Sequence, residues 1–268
     1  MSGHWTPNDW IAERRVTVSP DAESVARRVG KRLIRKLVTL TAAQEVVHVG
    51  LTGGRAGVSA LAAAARRAEL TEVNWDRVHF WWSDERFVAA DDADRNDRQA
   101  RDALLNAIPI PAVNVHTIAA SDSGLTADEA AARYEEDLAA FSSTGTEGQP
   151  QPWPSFDICL LGAGPDAHIC SLFPDRAEIL IDDRAAVAVH DSPKLPSTRV
   201  TLTRPVVNSS ERLWLIVTGQ EKAMALGLAL AGASYASVPA AGAKGRRHTK
   251  FFVDTAAAAD VAPELIER

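Results

Sequence analysis

Two side chains that can transfer protons, Asp166 and His168, lie two positions apart in a short glycine-containing stretch of the chain. The apolar run Phe156–Leu161 before them has the length of a buried strand, and the chain must turn at 162–165, where two glycines and a proline occur. An imidazole has a reference pKa of about 6.5, so it can accept a proton near neutral pH. The pattern predicts a base on a loop at the carboxyl end of a strand, where ligands bind in open α/β sheets.

The same stretch has simpler interpretations. A glycine turn after a buried strand often only connects that strand to a helix, and a neighbouring His can have the structural role of capping the helix or packing in the core. A dinucleotide fingerprint requires a third glycine where His168 stands, and a P-loop requires a Gly-Lys-Ser/Thr end that is missing here. The apolar pattern of Ile169–Phe173 predicts a helix after the loop, and its amino end would favour a neutral imidazole.

A second glycine turn follows the β-branched run Val46–Leu51. Its residues are Thr52, Gly53 and Gly54, and helical composition returns over Val58–Leu70. Because the first N–H groups of a helix have no internal partner, a strand-turn-helix of this kind suits a phosphate. The alternative is a turn that only needs glycine for its positive φ.

A third polar cluster comes after the apolar run Val78–Trp82, where the sequence is Ser83-Asp84-Glu85-Arg86. Charged residues after a strand often form only a solvated loop, which is the alternative to a functional role. The aspartates of Asp91–Asp97 lack the glycine and final glutamate of a calcium loop, so they are interpreted as solvated loop and helix-start residues.

The rest of the chain continues the alternation of strands and helices. Ser19, as an N-cap, and Pro20 predict a helix start, and Thr126 with Glu129 forms a capping box for a helix to about Phe141. Further predicted helices are Arg98–Ile108 and Lys222–Leu230, and further strands are Val187–Val189, Val200–Thr203, Leu213–Val217 and Phe251–Val253. Loops are predicted at Ser142–Pro154 and, flexible and basic, at Ala240–Thr249. This alternation predicts one α/β domain over residues 1–268, with a doubly wound, mainly parallel sheet flanked by helices.

Composition limits the classes of partner. The chain has 268 residues, 46% of them hydrophobic, with a net charge of −6, which argues against nucleic-acid or membrane-surface partners. Two cysteines, Cys159 and Cys170, make no disulfide framework, so a reduced, cytoplasmic location is expected. The first ten residues lack the pattern of a signal peptide, and no apolar run reaches membrane-spanning length.

The polar clusters are expected to meet at one edge of the sheet, because each follows a predicted parallel strand. That edge would gather Gly53, Gly54, Asp84–Arg86, His168, Arg199 and Lys222. It would be cationic in an otherwise acidic protein. A small anion with a reacting group some ångströms away is the expected ligand.

These residues carry a resemblance to a known family. The run LLGAGPDAHICSLFP resembles the 6-phosphogluconolactonase signature G-x-G-x-D-G-H-x-x-S-L-F-P, whose loop supplies a catalytic histidine. Ala167 stands where that family usually has glycine. Further matches follow in the family's order over most of the chain: Thr52-Gly53-Gly54, Ser83-Asp84-Glu85-Arg86, Ser192-Pro193-Lys194, Thr198–Thr203, Val217-Thr218-Gly219 and Lys222-Ala223.

The resemblance implies a fold of the Rossmann-like, sugar-phosphate isomerase type and a reaction. The reaction is hydrolysis of 6-phosphoglucono-1,5-lactone to 6-phosphogluconate in the pentose phosphate pathway, with no metal and no cofactor. His168 would activate water as a general base, and Asp166 would orient its imidazole. Substrate contacts, mainly to the phosphate, would come from Thr52, Gly53, Gly54, Asp84, Arg86, Lys194, Arg199 and Lys222. The expected partner is this small sugar-phosphate lactone, and both monomer and homodimer stay open.

Two other functions remain as alternatives. One is an amino-sugar-phosphate deaminase or isomerase, which the resemblance implies shares this sheet, and the other is a non-catalytic sugar-phosphate sensor. The Ser192-Pro193-Lys194 loop and the SLFP tail favour the lactonase, and His168 favours catalysis. A serine-nucleophile esterase is disfavoured because the sequence has no G-x-S-x-G.

Overall fold

The structure is a computed structural model that describes residues 14–145 and 148–267. Its strands are β1 (Arg14–Ser19), β2 (Val47–Leu51), β3 (Val78–Trp82), β4 (Asp84–Arg86), β5 (Val115–His116), β6 (Ser143–Thr144), β7 (Pro150–Gln151), β8 (Ile158–Gly162), β9 (Ala186–Val189), β10 (Arg199–Leu202), β11 (Arg212–Val217) and β12 (His248–Asp254). Its α-helices are α1 (Ala22–Ala43), α2 (Gly54–Ala65), α3 (Asn96–Ala103), α4 (Ala127–Ala139), α5 (Arg204–Asn208) and α6 (Ala223–Leu230). Short 3₁₀ turns connect several of them.

The main sheet has seven parallel strands in the order β1-β12-β11-β8-β2-β3-β5. Its inner strands are short apolar runs buried along their length, as parallel strands covered by helices require. From β2 the chain builds outward through β3 and β5, and from β8 it builds the other way through β11 and β12. The strand order therefore reverses between β2 and β8, and their carboxyl ends form the crevice where such sheets bind ligands. The predicted doubly wound, mainly parallel sheet with flanking helices is confirmed.

Helix α1 packs tightly on α2. Its apolar face, Val25, Val29, Leu33 and Leu37, is fully buried, as the four-residue spacing predicts. A side chain at Gly30 would meet the backbone of α2, with a Cβ only 2.6 Å from the nitrogen of Ala64. This close approach fixes α2, whose amino end opens on the ligand-binding edge.

A second sheet of three antiparallel strands, β4-β10-β9, was not predicted as a sheet of its own. Arg199 opens β10 and pairs with Arg86 of β4. Two expectations are therefore wrong: Asp84–Arg86 is a strand and not a loop, and Arg199 does not follow a parallel strand. Asp84–Arg86 and Arg199 still reach the same edge of the main sheet, because the backbone of Ser83 links the two sheets. Its N–H donates to the carbonyl of Leu51, and its carbonyl accepts the N–H of Leu202.

Helix boundaries follow the side chains that cap them. The predicted N-cap at Ser19 is wrong: Ser19 ends β1, and the Asp21 carboxylate accepts the N–H of Ser24 at 2.7 Å. The capping box of Thr126 and Glu129 is confirmed, with α4 starting at the next residue. Helix α2 starts four residues earlier than predicted and ends at Ala65, α3 spans Asn96–Ala103 and not Arg98–Ile108, and α6 starts one residue later than predicted.

The predicted helix over Ile169–Phe173 is wrong. Cys170 has a φ of +51° and Ile169 makes isolated bridges to Ala163 and Leu172, so the segment is a buried turn. The Ser171 N–H donates to the side chain of Thr201 at 3.1 Å. His168 therefore does not lie at a helix amino end, and no helix dipole favours its neutral form.

The predicted flexible loop at Ala240–Thr249 is also wrong in part. Residues 240–243 are buried, with a 3₁₀ turn over Pro239–Gly242, and the last two residues belong to β12. Within the described ranges no helix is both long and apolar enough to cross a membrane. The prediction about the first ten residues lies outside the described part of the chain.

Candidate active site

A cleft of about 190 Å³ opens at the carboxyl edge of the sheet, between β2 and β8. It brings together most of the residues singled out from sequence, together with several that were not. The predicted ones are Thr52, Gly53, Gly54, Asp84, Arg86, His168, Arg199 and Lys222, and the added ones include Arg55, Asn96 and Cys170. Asp166 and Lys194 do not line the cleft themselves, but both contact His168.

His168 forms a compact cluster with Asp166 and Lys194. Its Nδ1 lies 2.6 Å from Oδ1 of Asp166, and the Lys194 ammonium donates to the same oxygen at 3.1 Å. Burial would raise the pKa of Asp166, but the hydrogen bonds and charges of His168 and Lys194 hold this pKa well below its usual value. An ionised Asp166 accepts the proton of Nδ1, which leaves Nε2 of His168 free to act as a base.

The loop that carries this cluster is held by its own backbone. Gly164 donates its N–H to the carbonyl of His168 at 3.0 Å, and Ala167 donates to the carbonyl of Gly164 at 2.9 Å. Ala167, at the family's usual glycine position, has a φ of +65° and is buried. An L-residue in that region costs roughly 1–2 kcal/mol, so this chain adopts the glycine-type backbone with a strained alanine.

The Thr52-Gly53-Gly54 turn leads directly into α2. Gly53 is the N-cap and provides no side-chain cap, so the first N–H groups of α2 remain available to an anion. The two glycines are required for different reasons. Gly54 has a φ of +76°, whereas a Cβ on Gly53 would lie 1.7 Å from Oδ1 of Asn96.

Two cations lie near this turn. Arg55 follows Gly54 and is exposed, and within the described ranges it has no carboxylate at salt-bridge distance. Lys222 ends the 3₁₀ turn after β11. Burial lowers the pKa of Lys222; the charges of Lys194 and Arg55 also lower it, while Glu221 and Asp254 oppose them. Arg55 and Lys222 thus bring positive charge to this end of the cleft, with Glu221 and Asp254 nearby.

Asp84 and its neighbours form the wall of the cleft between the two sheets. The buried Asp84 carboxylate accepts a hydrogen bond from Ser171 Oγ at 2.6 Å, and its carbonyl accepts one from Asn96 at 2.8 Å. The carboxylate of the buried Glu85 accepts the first N–H groups of α3 from Asn96 and Asp97 at 2.7 and 2.9 Å. Arg86 donates to the carbonyl of Asp94 at 2.6 Å.

Sequence reasoning missed Arg55, Asn96 and Ser171. Arg55 directly follows the glycine turn and Ser171 lies within the signature, so both could have been found from their positions. Asn96 lies beside the aspartates interpreted as solvated, and it reaches the site only because Glu85 and Asp84 hold it there. Among the described residues, no group of three or more His, Cys, Asp or Glu is arranged to hold a metal ion.

Comparisons with known proteins identify the family of the chain. The family described as glucosamine-6-phosphate isomerases/6-phosphogluconolactonase matches residues 20–252. A 6-phosphogluconolactonase of Mycobacterium tuberculosis is 44% identical over 91% of this chain and 97% of its own, and one of Streptomyces coelicolor is 40% identical over 94% and 96%. The crystal structure of a Thermotoga maritima 6-phosphogluconolactonase superposes with a TM-score of 0.76 at 26% identity, covering 90% of this chain and 100% of its own.

The chain belongs to the glucosamine-6-phosphate isomerase/6-phosphogluconolactonase family, whose matched region includes the cleft residues described above. Within this family, the proteins from M. tuberculosis, S. coelicolor and T. maritima all carry the name of the lactonase, and none of the three carries the name of the isomerase.

Proposed function

We propose that this chain hydrolyses 6-phosphoglucono-1,5-lactone to 6-phosphogluconate, a reaction of the oxidative pentose phosphate pathway, with His168 as the general base. The contact between His168 and Asp166 supports this most directly, because it provides an oriented base beside a cationic cleft. The names of the relatives at 40–44% identity point to the same reaction. A cytoplasmic location fits the two unpaired thiols, Cys159 and Cys170.

In this mechanism Nε2 of His168 removes a proton from the water that attacks the lactone carbonyl. The ionised Asp166 keeps the imidazole in the required tautomer and stabilises the imidazolium that forms. The protonated His168 then returns its proton to the ring oxygen as the ester bond breaks, so one residue serves both transfers. The Lys194 ammonium lies 3.2 Å from Nδ1 and 3.1 Å from Oδ1 of Asp166, so it helps to hold the carboxylate that orients the base.

The phosphate binds at the other end of the cleft. The N–H groups after Gly53 and the cations of Arg55 and Lys222 converge there, and charge-assisted contacts to phosphate are strong. Thr52 offers a hydroxyl at the same turn. Asp84 and Arg86, on the wall between the sheets, are placed to contact the sugar.

The test is a hydrolysis assay with freshly generated 6-phosphoglucono-1,5-lactone, with spontaneous hydrolysis subtracted and glucosamine 6-phosphate offered as the competing substrate. Rapid hydrolysis of the lactone with no release of ammonia is expected. Ammonia from glucosamine 6-phosphate would instead identify a deaminase. Tight binding of 6-phosphogluconate without turnover of either compound would identify a sensor.

A further inference from the structure

A second cavity lies at the opposite edge of the main sheet from the candidate active site. It has a volume of about 510 Å³ and is formed where β2, β8 and β11 begin. Asp157, which precedes β8, lines this cavity, whereas Gly162, which ends β8, lines the cleft. The two sites are therefore separated by the length of one short strand, roughly 17 Å. A ligand in the second cavity would not contact the proposed catalytic residues.

Arg212 supplies a buried positive charge to this cavity. It is 8% exposed, and its Nη1 donates to the carbonyl of Asp157 at 3.2 Å. Across residues 14–145 and 148–267 this is the one hydrogen bond of its guanidinium, so most of its five N–H groups have no partner there. Burial lowers the pKa of Arg212, and the charge of Arg247 lowers it further. The charges of Asp157 and Glu211, the two carboxylates in the wall, oppose this shift. A buried cation with unused donors is suited to an anionic ligand.

Further cations lie close to Arg212. Arg247 lines the same cavity, and Lys36 of α1 is near enough that the charge of Arg212 adds to burial in lowering its pKa. The carboxylate of Glu211 is shared between Arg246 and Arg247, at N–O distances of 3.7 and 3.1 Å. Four cations are thus grouped with the two carboxylates of the wall, in a chain whose net charge is −6.

The carboxyl end of α1 also lies beside the cavity, and the negative end of its dipole opposes an anion. Its last carbonyls are already hydrogen-bonded, because Arg77 donates to those of Thr41 and Gln44 at 2.9 and 3.3 Å. The helix end therefore offsets only part of the positive charge around Arg212.

Uncharged polar groups line the rest of the cavity. Nδ1 of His48 accepts the Nε1–H of Trp81 at 3.1 Å, so the neutral imidazole carries its proton on Nε2. This Nε2–H has no partner in the part of the chain that the structure describes. The hydroxyls of Ser142 and Ser143 lie in the same wall. Because small-molecule sites measure roughly 300–1,000 Å³, the cavity can hold a hydroxylated body beside an anionic group.

We propose that this cavity is a second ligand site, which binds a phosphorylated and hydroxylated small molecule of the sugar-phosphate class. Arg212 and Arg247 bind the phosphate, because guanidinium groups form paired, charge-assisted contacts with phosphate oxygens. His48 donates to a hydroxyl oxygen of the ligand, and Asp157 accepts a hydroxyl proton. The site uses no residue of the proposed lactonase mechanism, so the inference does not depend on that reaction.

Crystals soaked in tungstate test the anion site directly, because tungstate is a tetrahedral dianion like phosphate and scatters X-rays anomalously. An anomalous peak is expected beside Arg212, in addition to a peak in the cleft. In crystals of Arg212→Gln the cavity peak should disappear while the cleft peak remains. A wild-type map without a peak in the cavity would overturn the inference.

Calorimetry identifies the class of ligand in solution. An Arg55→Ala/Lys222→Ala background weakens phosphate binding in the cleft, so the remaining binding reports on the cavity. Glucose 6-phosphate should bind this variant about tenfold more tightly than inorganic phosphate, because its hydroxyls gain contacts to His48 and Asp157. Equal affinities would assign the cavity to free phosphate and overturn the sugar-phosphate assignment.

Arg247→Gln keeps the inference testable if Arg212→Gln does not fold, because Arg247 is exposed. In the same background it should raise the Kd of glucose 6-phosphate by about tenfold, as the loss of a charge-assisted contact predicts. Arg28→Gln removes the same charge from an exposed position of α1 and should leave this Kd unchanged. In the otherwise wild-type protein, Arg247→Gln should keep kcat, because the cavity and the cleft lie at opposite edges of the sheet. Equal Kd values for the Arg247 and Arg28 variants would contradict the proposed site.

Discussion

Gly164 lies against the contact between the side chains of His168 and Asp166. A Cβ at this glycine would be 2.2 Å from Nδ1 and Cε1 of His168 and 2.4 Å from Oδ1 of Asp166. The hydrogen bond of 2.6 Å between these two side chains is therefore possible only because residue 164 has no side chain. This relationship links the glycine of the signature to the orientation of the base.

His168→Asn should lower kcat by ~10²–10⁴-fold, because it removes the base while keeping size and some hydrogen bonding. Binding of 6-phosphogluconate should persist, since the phosphate contacts lie at the other end of the cleft. Initial rates with freshly generated lactone, corrected for the spontaneous reaction, check the first expectation and calorimetry the second. Wild-type turnover in a variant whose thermal unfolding is unchanged would rule out His168 as the base.

Gly164→Ala should lower kcat by about 10²-fold, because the added methyl must push His168 and Asp166 apart. Gly227→Ala is the matched control: its Cβ would make only an ordinary contact, 3.5 Å from Asp260, in a helix outside the cleft. The control should keep wild-type rates. Equal rates for the two variants would show that the 2.6 Å contact does not limit catalysis.

Lys222→Ala and Arg55→Ala should each reduce the preference for the phosphorylated lactone over glucono-1,5-lactone by roughly tenfold, as the loss of a charge-assisted contact predicts. The measurement is the ratio of kcat/KM for the two lactones. Arg28→Ala removes the same charge from an exposed position of α1 and should leave the ratio unchanged. If all three variants keep the wild-type ratio, the phosphate binds elsewhere.

The parts of the site that the sequence could predict are those encoded by neighbouring residues. The pattern of a buried apolar run followed by glycines correctly predicted that Gly54 and His168 follow the ends of strands. Strand length and turn formation depend on residues that are close together in the sequence. The capping box at Thr126 was predicted for the same reason. The resemblance then supplied a reaction, which local patterns do not specify.

The parts that could not be predicted depend on contacts between distant segments. The apolar spacing of Ile169–Phe173 suits a helix, but pairing with Ala163 and the hydrogen bond that the Ser171 N–H donates to Thr201 hold it as a turn. Arg199 is a second example. Its position in an apolar strand could not predict which backbone carbonyls its guanidinium contacts. Asn96 was missed because the start of its helix is set by a distant residue: the Asn96 N–H donates to the carboxylate of Glu85 in β4.

Activity should survive prolonged treatment with EDTA and need no added cofactor. The proposed mechanism uses His168, Asp166 and Lys194 for proton transfer and charge stabilisation, so no step requires a metal ion. The check is the initial rate before and after chelation and desalting, with metal content measured on the same sample. Loss of activity that a single added metal ion restores would contradict the mechanism.

Thermal stability should fall as pH is lowered from about 6.5, because a cluster of three histidines at the far end of the sheet must stay neutral in the folded protein. His48 accepts a hydrogen bond from Trp81 at 3.1 Å, and Nδ1 of His79 lies 2.9 Å from Nε2 of His116. Both arrangements need an unprotonated ring nitrogen. Burial, reinforced by the neighbouring imidazoles, lowers the pKa of His48 to about 3 and that of His116 to about 4.

Because these folded-state pKa values lie below the unfolded value of about 6.5, the unfolded chain binds more protons between pH 6.5 and 4. The stabilisation is complete well above pH 6.5 and is lost as pH falls, by roughly 2 kcal/mol for each of His48 and His116 by pH 5. Melting temperatures at pH 7.5 and 5 should therefore differ less in His48→Gln than in the wild-type protein. His190→Gln, at an exposed histidine beside Asp128, should keep the wild-type difference. An unchanged difference in His48→Gln would show that this cluster does not control the acid sensitivity of the fold.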